Sequence, residues 1–247
     1  MAMAVVTVAS GGLPVIDVTA TAPKVGFPVT EASTGIAVTK VTAGGVAVTF
    51  VAVGGSTPVA TFDGASSNVT LSNGNLTVTS AGGTGTDVGA RSAATKTTGK
   101  YYFEITVTAG AGNNDAIGIL KSSGVYTDGI NNSFMVSRTN GVIFTNNGVF
   151  ANPGLTAVAN GTVLCFAIDL TARLGWVRKG SGSWNADGGA NPATGTGGGT
   201  IAPTDPFSPF VRFGGPGGVN GNNMTANFGG STYAQTVPSG FINWPAA

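Results

Sequence analysis

Residues 99–107 read Gly-Lys-Tyr-Tyr-Phe-Glu-Ile-Thr-Val, and no other stretch limits the fold so tightly. Tyr101, Phe103, Ile105 and Val107 fall on one side of a two-residue period, with Tyr102, Glu104, Thr106 and Thr108 on the other. That is a strand with one face packed inward and one meeting polar groups. Aromatic and β-branched side chains suit a pleated, half-buried surface, and Gly99-Lys100 supplies the turn leading into it.

The rest of the chain must then supply partners for this strand, and its composition suits that task. Forty-one glycines among 247 residues, with 9% charged side chains, favour many short strands joined by tight turns. Hydrophobic residues make up 42% of the chain, enough in alternating runs to offset the entropy of ordering it. Asn73-Gly74 between alternating apolar residues marks a hairpin over 69–78. Further strands are expected at 59–63, 116–120, 134–137, 142–144, 162–170, 174–177, 207–213 and 224–229, whereas 80–98, 195–199 and 214–223 read as loops. Leu174 and Trp176 share a face, and no stretch carries a convincing helical period. The expected fold is all-β: a small N-terminal β-repeat segment, residues 1–58, followed by an antiparallel sandwich, residues 59–247, with Val53-Gly54-Gly55-Ser56-Thr57-Pro58 as the joint.

Within the leading segment one unit recurs: Gly12-Leu13-Pro14-Val15, Gly26-Phe27-Pro28-Val29, Gly35-Ile36-Ala37-Val38 and Gly45-Val46-Ala47-Val48. Each is a short strand whose apolar members share one face: Leu13 with Val15, Phe27 with Val29, Ile36 with Val38, Val46 with Val48. Pro14 and Pro28 cannot donate to a ladder, so their strands belong at edges or bulges. A ribbon of about 50 residues is near the lower limit for an independent core. These eight side chains are therefore expected to anchor or oligomerise the protein against another chain; packing on the second domain is the alternative.

Little in the sequence points to chemistry. A net charge of +1 gathers no phosphates, and no apolar run approaches the ~20 residues that cross a bilayer, so neither nucleic acid nor membrane is the expected partner. The start of the chain lacks the basic and apolar regions of a secretory signal. With no histidine and one cysteine, Ser-His and Cys-His nucleophiles, the usual zinc sites and an intrachain disulfide are excluded. Cys165, inside Val163-Leu164-Cys165-Phe166-Ala167-Ile168, reads as a buried structural thiol. Glu104 and Asp169 are the carboxylates a glycosidase reading would need, and Asn113-Asn114-Asp115 and Asp128 to Asn132 the oxygen clusters a calcium reading would need. Both sets have simpler roles in strands and turns. The expectation is thus no catalytic residue, no cofactor and no metal. Four aromatics in or near loops, Tyr126, Phe150, Trp184 and Tyr233, could stack on a sugar or enter a protein partner, or else cover the ends of the sandwich.

Taken in order, Gly99 to Ile105, Ile117-Gly118-Ile119, Gly161-Thr162-Val163 with Ala167-Ile168-Asp169-Leu170, Pro206-Phe207 with Pro209-Phe210-Val211, and Asn227-Phe228-Gly229 resemble the core strands of SPRY domains. The resemblance spans residues 61 to 244. It implies a concanavalin-like sandwich that binds partners through its loops without catalysis. Trp184-Asn185, Asn191-Pro192-Ala193 and Val237-Pro238-Ser239-Gly240-Phe241 are similar to the form found in tailed-phage virion proteins, as is Gly11 to Val18 to their amino-terminal segments. This implies a structural protein of the virion, assembled in the host cytoplasm. The N-terminal segment would bind capsid or other virion proteins or sister subunits, as a homotrimer, and the sandwich would be displayed as a decoration or head fibre. The alternative implied is a tail-fibre or tail-tip subunit recognising a host glycan. Gly- and Asn-rich loops depart from animal SPRY domains, so no peptide-binding residue carries over.

Overall fold

The computed structural model describes residues 41–43, 46–48, 58–66, 68–82, 88–110, 115–126, 132–146, 148–151, 154–202, 204–214 and 220–247. The chain divides into two units, Met1–Ser56 and Thr57–Ala247. In the first, β1 (Val41–Ala43) and β2 (Val46–Val48) pair antiparallel, Val41 opposite Val48 and Ala43 opposite Val46. Val46 and Val48 thus lie in a strand, paired with residues outside the repeated unit. Leu13, Val15, Phe27, Val29, Ile36 and Val38 lie outside the described residues.

The second unit is an antiparallel sandwich of two sheets. One runs, edge to edge, β11 (Gly148–Ala151), β10 (Ile143–Thr145), β9 (Ser133–Ser137), β8 (Ala116–Lys121), β15 (Phe207–Arg212), β6 (Gly89–Arg91) and β3 (Gly64–Ala65). The other runs β14 (Gly199–Thr200), β13 (Leu174–Lys179), β12 (Val163–Asp169), β7 (Lys100–Ala109), β16 (Asn223–Asn227), β5 (Thr77–Ser80) and β4 (Val69–Ser72). A last short strand, β17 (Ile242–Asn243), lies parallel to the start of β7, with Ile242 opposite Tyr101. The constraining strand of the sequence is thus β7, central in its sheet between β12 and β16. Its inward side chains Tyr101, Phe103, Ile105 and Val107 all sit in the inter-sheet core, where the Phe103 ring stacks on Phe166 at 4.9 Å. Large alternating side chains from both sheets fill this layer, the arrangement expected of two aligned sheets packed face to face.

Hairpin 69–78 forms as its Asn-Gly signal requires, with Asn73, Gly74 and Asn75 at φ 52°, 61° and 63°. Strands β3, β11 and β17 fall where no strand was expected, and three further segments differ from the sequence reading. Strand β6 falls inside the expected loop 80–98: a Cβ on Gly89 would stand 2.4 Å from the Val211 carbonyl oxygen, so the closeness of β15 demands glycine where periodicity asks for a large residue. Strand β14 overlaps the expected loop 195–199, because the Trp176 and Phe134 rings press on Gly198 and Gly199. Residues 59–63 make no strand. Phe62 donates its amide to Asn75 and Asp63 its amide to Arg91, so the segment crosses from one sheet to the other.

Outward faces are partly covered as well. Over the sheet containing β8, Tyr126 packs with Ala116, Leu120, Met135 and Phe210. Over the sheet containing β7, the segment following β16 and the turn Trp184–Ala186 cover Tyr102, Cys165, Ala167 and Trp176.

Candidate functional site

The outward face of β7, β12 and β13 gathers four of the side chains the sequence singles out, Glu104, Cys165, Trp184 and Tyr233. Strand register sets them in two ranks: Tyr102, Ala167 and Trp176 in one, Glu104, Cys165 and Arg178 in the next. Glu104 is buried, 3% exposed, and accepts from the Tyr102 hydroxyl at 2.8 Å and the amides of Ala234 and Gln235 at 2.8 and 2.9 Å. The Tyr233 hydroxyl donates to the Tyr102 carbonyl, and the two rings meet edge to face at 4.7 Å. Arg178 lies over the Trp184 ring at 4.3 Å and donates to the Thr236 carbonyl. Burial pushes the Tyr102 and Tyr233 hydroxyls well above their ordinary pKa, so both stay protonated. The β7 face read as polar is therefore polar but closed, because one carboxylate fixes the backbone of residues 234–235 across it.

Two expected results follow. Glu104→Gln places an amide donor against a cluster of donors, which should cost about 1.5–3 kcal/mol, the worth of hydrogen bonds to a charged group; hydrogen exchange should then rise first in residues 231–240, and unchanged protection there would refute the role. Cys165 has no exposed surface, its thiol contacts the Gly180 carbonyl, and burial raises its pKa. A thiol reagent should therefore count no reactive cysteine in the folded protein and one in denaturant.

Of the four aromatics nominated as ligand contacts, three are engaged in packing. Trp184 is 8% exposed beneath Arg178. Tyr126 is 5% exposed, donates to the Gly64 carbonyl at 2.6 Å and lies under Arg91. Tyr233 is half-buried on Tyr102. Phe150 differs, with 39% of its surface exposed beside Val149 at 57%. Val149 lies opposite Phe144 and Ala151 opposite Ile143, so Phe150 is the extra residue of a β-bulge on edge strand β11. It leans toward Gly199, where a Cβ would lie 3.2 Å from its ring, and so closes the side of the sandwich while keeping part of its face in solvent.

The two carboxylates considered for sugar hydrolysis are placed apart. Asp169 lies four residues along β12 from Cys165, the partner of Glu104, a separation of about 13 Å at strand rise, beyond the roughly 5–9.5 Å such a pair needs. Asp169 is also held by Lys100 at 3.1 Å and by the amides of Thr171 and Ala172. From the expected calcium clusters, Asp115 is paired with Arg138 at 2.9 Å and has no exposed surface; Asn113, Asn114 and residues 128–131 lie outside the described residues. Among the described residues no three acidic, cysteine or histidine side chains gather as metal ligands. A depression of about 270 Å³ lies beside Asp63, Arg91, Ala93, Thr95 and Ser122; Asp63 there accepts from the Ala93 amide, and Arg91 donates to the Ser122 carbonyl.

Sequence reasoning missed Asn185, whose side chain takes the place of a neighbouring strand along β13, accepting from the Val177 amide and donating to the Gly175 and Gly197 carbonyls. It missed Arg138 too. A lone arginine directly after the apolar run Phe134-Met135-Val136-Ser137 was the available signal.

The sequence matches no protein-family model and no curated protein. Among solved structures it is similar to the SPRY domain of human HERC1, with 16% identity and a TM-score of 0.48, covering 64% of this chain and 91% of that one. It is likewise similar to the TRIM65 PSpry domain, with 18% identity and a TM-score of 0.48, covering 68% and 92%.

Proposed function

We propose that this chain is a non-enzymatic structural protein of a tailed-phage virion. Its N-terminal repeats anchor it to the capsid, other virion proteins or sister subunits, as a trimer, and the sandwich is displayed as a decoration or head-fibre module. The observation that supports this reading is that, among the described residues, the three buried clusters draw on both sheets of the sandwich and run from Ala60 to Trp244. Its buried acids Glu104, Asp115 and Asp169 are occupied by donors from the same span. A leading ribbon of about 50 residues, near the lower limit for an independent core, would find the cover for its repeated apolar faces in assembly.

Deletion of residues 1–56 is accordingly expected to leave a folded domain whose Tm lies within about 3 °C of the full chain, the shift that 1 kcal/mol brings in a domain of this size. The same deletion should abolish oligomers in light scattering and remove the protein from purified particles. A stable full-length monomer, with particle incorporation unaffected by the deletion, would overturn the reading. Phe150 and Val149 favour a second reading, a tail-fibre or tail-tip subunit holding a host glycan; there Phe150→Ala would abolish binding to host cells while leaving incorporation intact.

A further inference from the structure

An asparagine followed by glycine is open to a spontaneous ring closure, because the glycine nitrogen can attack the side-chain carbonyl with no side chain of its own in the way. The pair occurs five times in this chain, at Asn73, Asn140, Asn147, Asn160 and Asn220. What the fold does with the attacking nitrogen and with the asparagine side chain decides which pair can react. Asn147 lies outside the described residues.

Three of the other four pairs are tied. The Gly141 amide donates to the Ser137 carbonyl at 2.8 Å, and the Asn140 side chain accepts from the Val142 amide at 3.1 Å. The Gly161 amide donates to the Val107 carbonyl at 2.7 Å, and Arg138 donates to the Asn160 side chain. The Gly221 amide donates to the Ser80 carbonyl at 2.9 Å. A nitrogen in such a bond must give it up before it can lose its proton and reach the side chain.

Asn73 and Gly74 stand apart from these. They lie in the exposed turn between β4 and β5, at one edge of their sheet. Leu76 closes the turn by donating its amide to the Asn73 carbonyl at 3.2 Å, while the Asn75 and Leu76 carbonyls accept from Phe62 and Ala226. That pattern holds the turn and leaves the Gly74 amide out. Among the described residues neither this amide nor the Asn73 side chain has a hydrogen-bond partner. No atom comes within 4 Å of where a Cβ on Gly74 would stand, so no neighbour shields the nitrogen.

We propose that Asn73 is a site of spontaneous covalent modification, in which its side chain closes onto the Gly74 nitrogen and loses ammonia. A bond forms from the Gly74 nitrogen to Cγ of Asn73, the Cγ–Nδ2 bond breaks, and the amide proton of Gly74 departs with Nδ2 as ammonia. Water then opens the cyclic imide on either side of its nitrogen, leaving a carboxylate at position 73 in aspartyl or isoaspartyl linkage. Either product places a negative charge in a stretch that carries none between Asp63 and Asp87. The formal net charge of the chain falls from +1 to zero, and a protein without net charge associates more readily.

Peptide mass spectrometry on the purified full chain, aged at mildly alkaline pH and then digested, tests the assignment site by site. Asn73 should convert about tenfold faster than Asn140, Asn160 or Asn220, the factor that a hydrogen bond to be broken first adds to a barrier. In denaturant, where those bonds are gone, the four rates should converge. Conversion at Asn73 no faster than at any of the other three in the folded chain would overturn the proposal. So would a tenfold preference that persists in denaturant, since the flanking sequence and not the fold would then select the site.

Discussion

Trp244→Ala is expected to lower the stability of the sandwich by about 3–5 kcal/mol, the range for removing a fully buried large aromatic, and its Tm by roughly 10 °C. The indole has no exposed surface, stands edge-on to Phe103 at 5.8 Å, tilts against Tyr101 at 4.8 Å and donates from Nε1 to the Ala94 carbonyl at 2.7 Å. Its backbone carbonyl accepts from Ala60, so the same residue joins both ends of the unit. Trp244→Phe retains a ring but loses the Nε1 bond, and should cost about 1–3 kcal/mol, what a buried acceptor left without its donor typically loses. Thermal melts of the two variants check the ordering. A Trp244→Ala protein within 3 °C of the parent would mean that residues 244–246 do not close the fold.

That closing residue was hard to read from the sequence, whereas β7 was not, and the contrast has a physical origin. In β7 both side-chain periodicity and residue type reflect a strand buried along most of its length. Trp244 follows Ile242 and Asn243, both exposed, so β17 carries no alternation. Its pairing to β7 comes from the rest of the fold bringing the segment back. Strand β6 was hidden for the reverse reason: it is three residues long, and at Gly89 its neighbours stand so close that a side chain has no room. The aromatic candidates follow the same logic. A loop position says nothing about whether a ring has something to lie on: Tyr126 and Tyr233 rest against residues distant in the chain, and Trp184 lies beneath Arg178. Phe150 remains partly exposed because its strand is an edge and carries a bulge.

The Asp115–Arg138 pair is the second place where one substitution should have a large effect, and its pH dependence distinguishes an ion pair from simple packing. Arg138→Ala removes the donor at 2.9 Å from a carboxylate with no exposed surface, which should cost about 3–5 kcal/mol at pH 7, the penalty for leaving a buried charge uncompensated. Burial already holds the Asp115 carboxyl above its ordinary pKa, with the Gly214 amide, Arg138 and Asn222 pulling it back down. Without Arg138 it rises further. A carboxyl whose folded pKa exceeds its unfolded value of about 3.9 binds its proton more tightly in the folded chain. The stability this contributes is full below the unfolded value and is lost as pH rises through the folded one. The variant's deficit relative to the parent should therefore be greatest at pH 7–8 and shrink as the pH falls toward 4, since every other carboxyl titrates alike in both proteins. Asp115→Asn combined with Arg138→Met removes both charges together; that double variant should recover part of the loss and show a deficit independent of pH. Denaturant unfolding of the three proteins across this range measures the differences. A deficit for Arg138→Ala that stays constant with pH would show that the arginine acts only through its carbonyl bonds to Gly110 and Val158, and that the pair does not hold this part of the sandwich together.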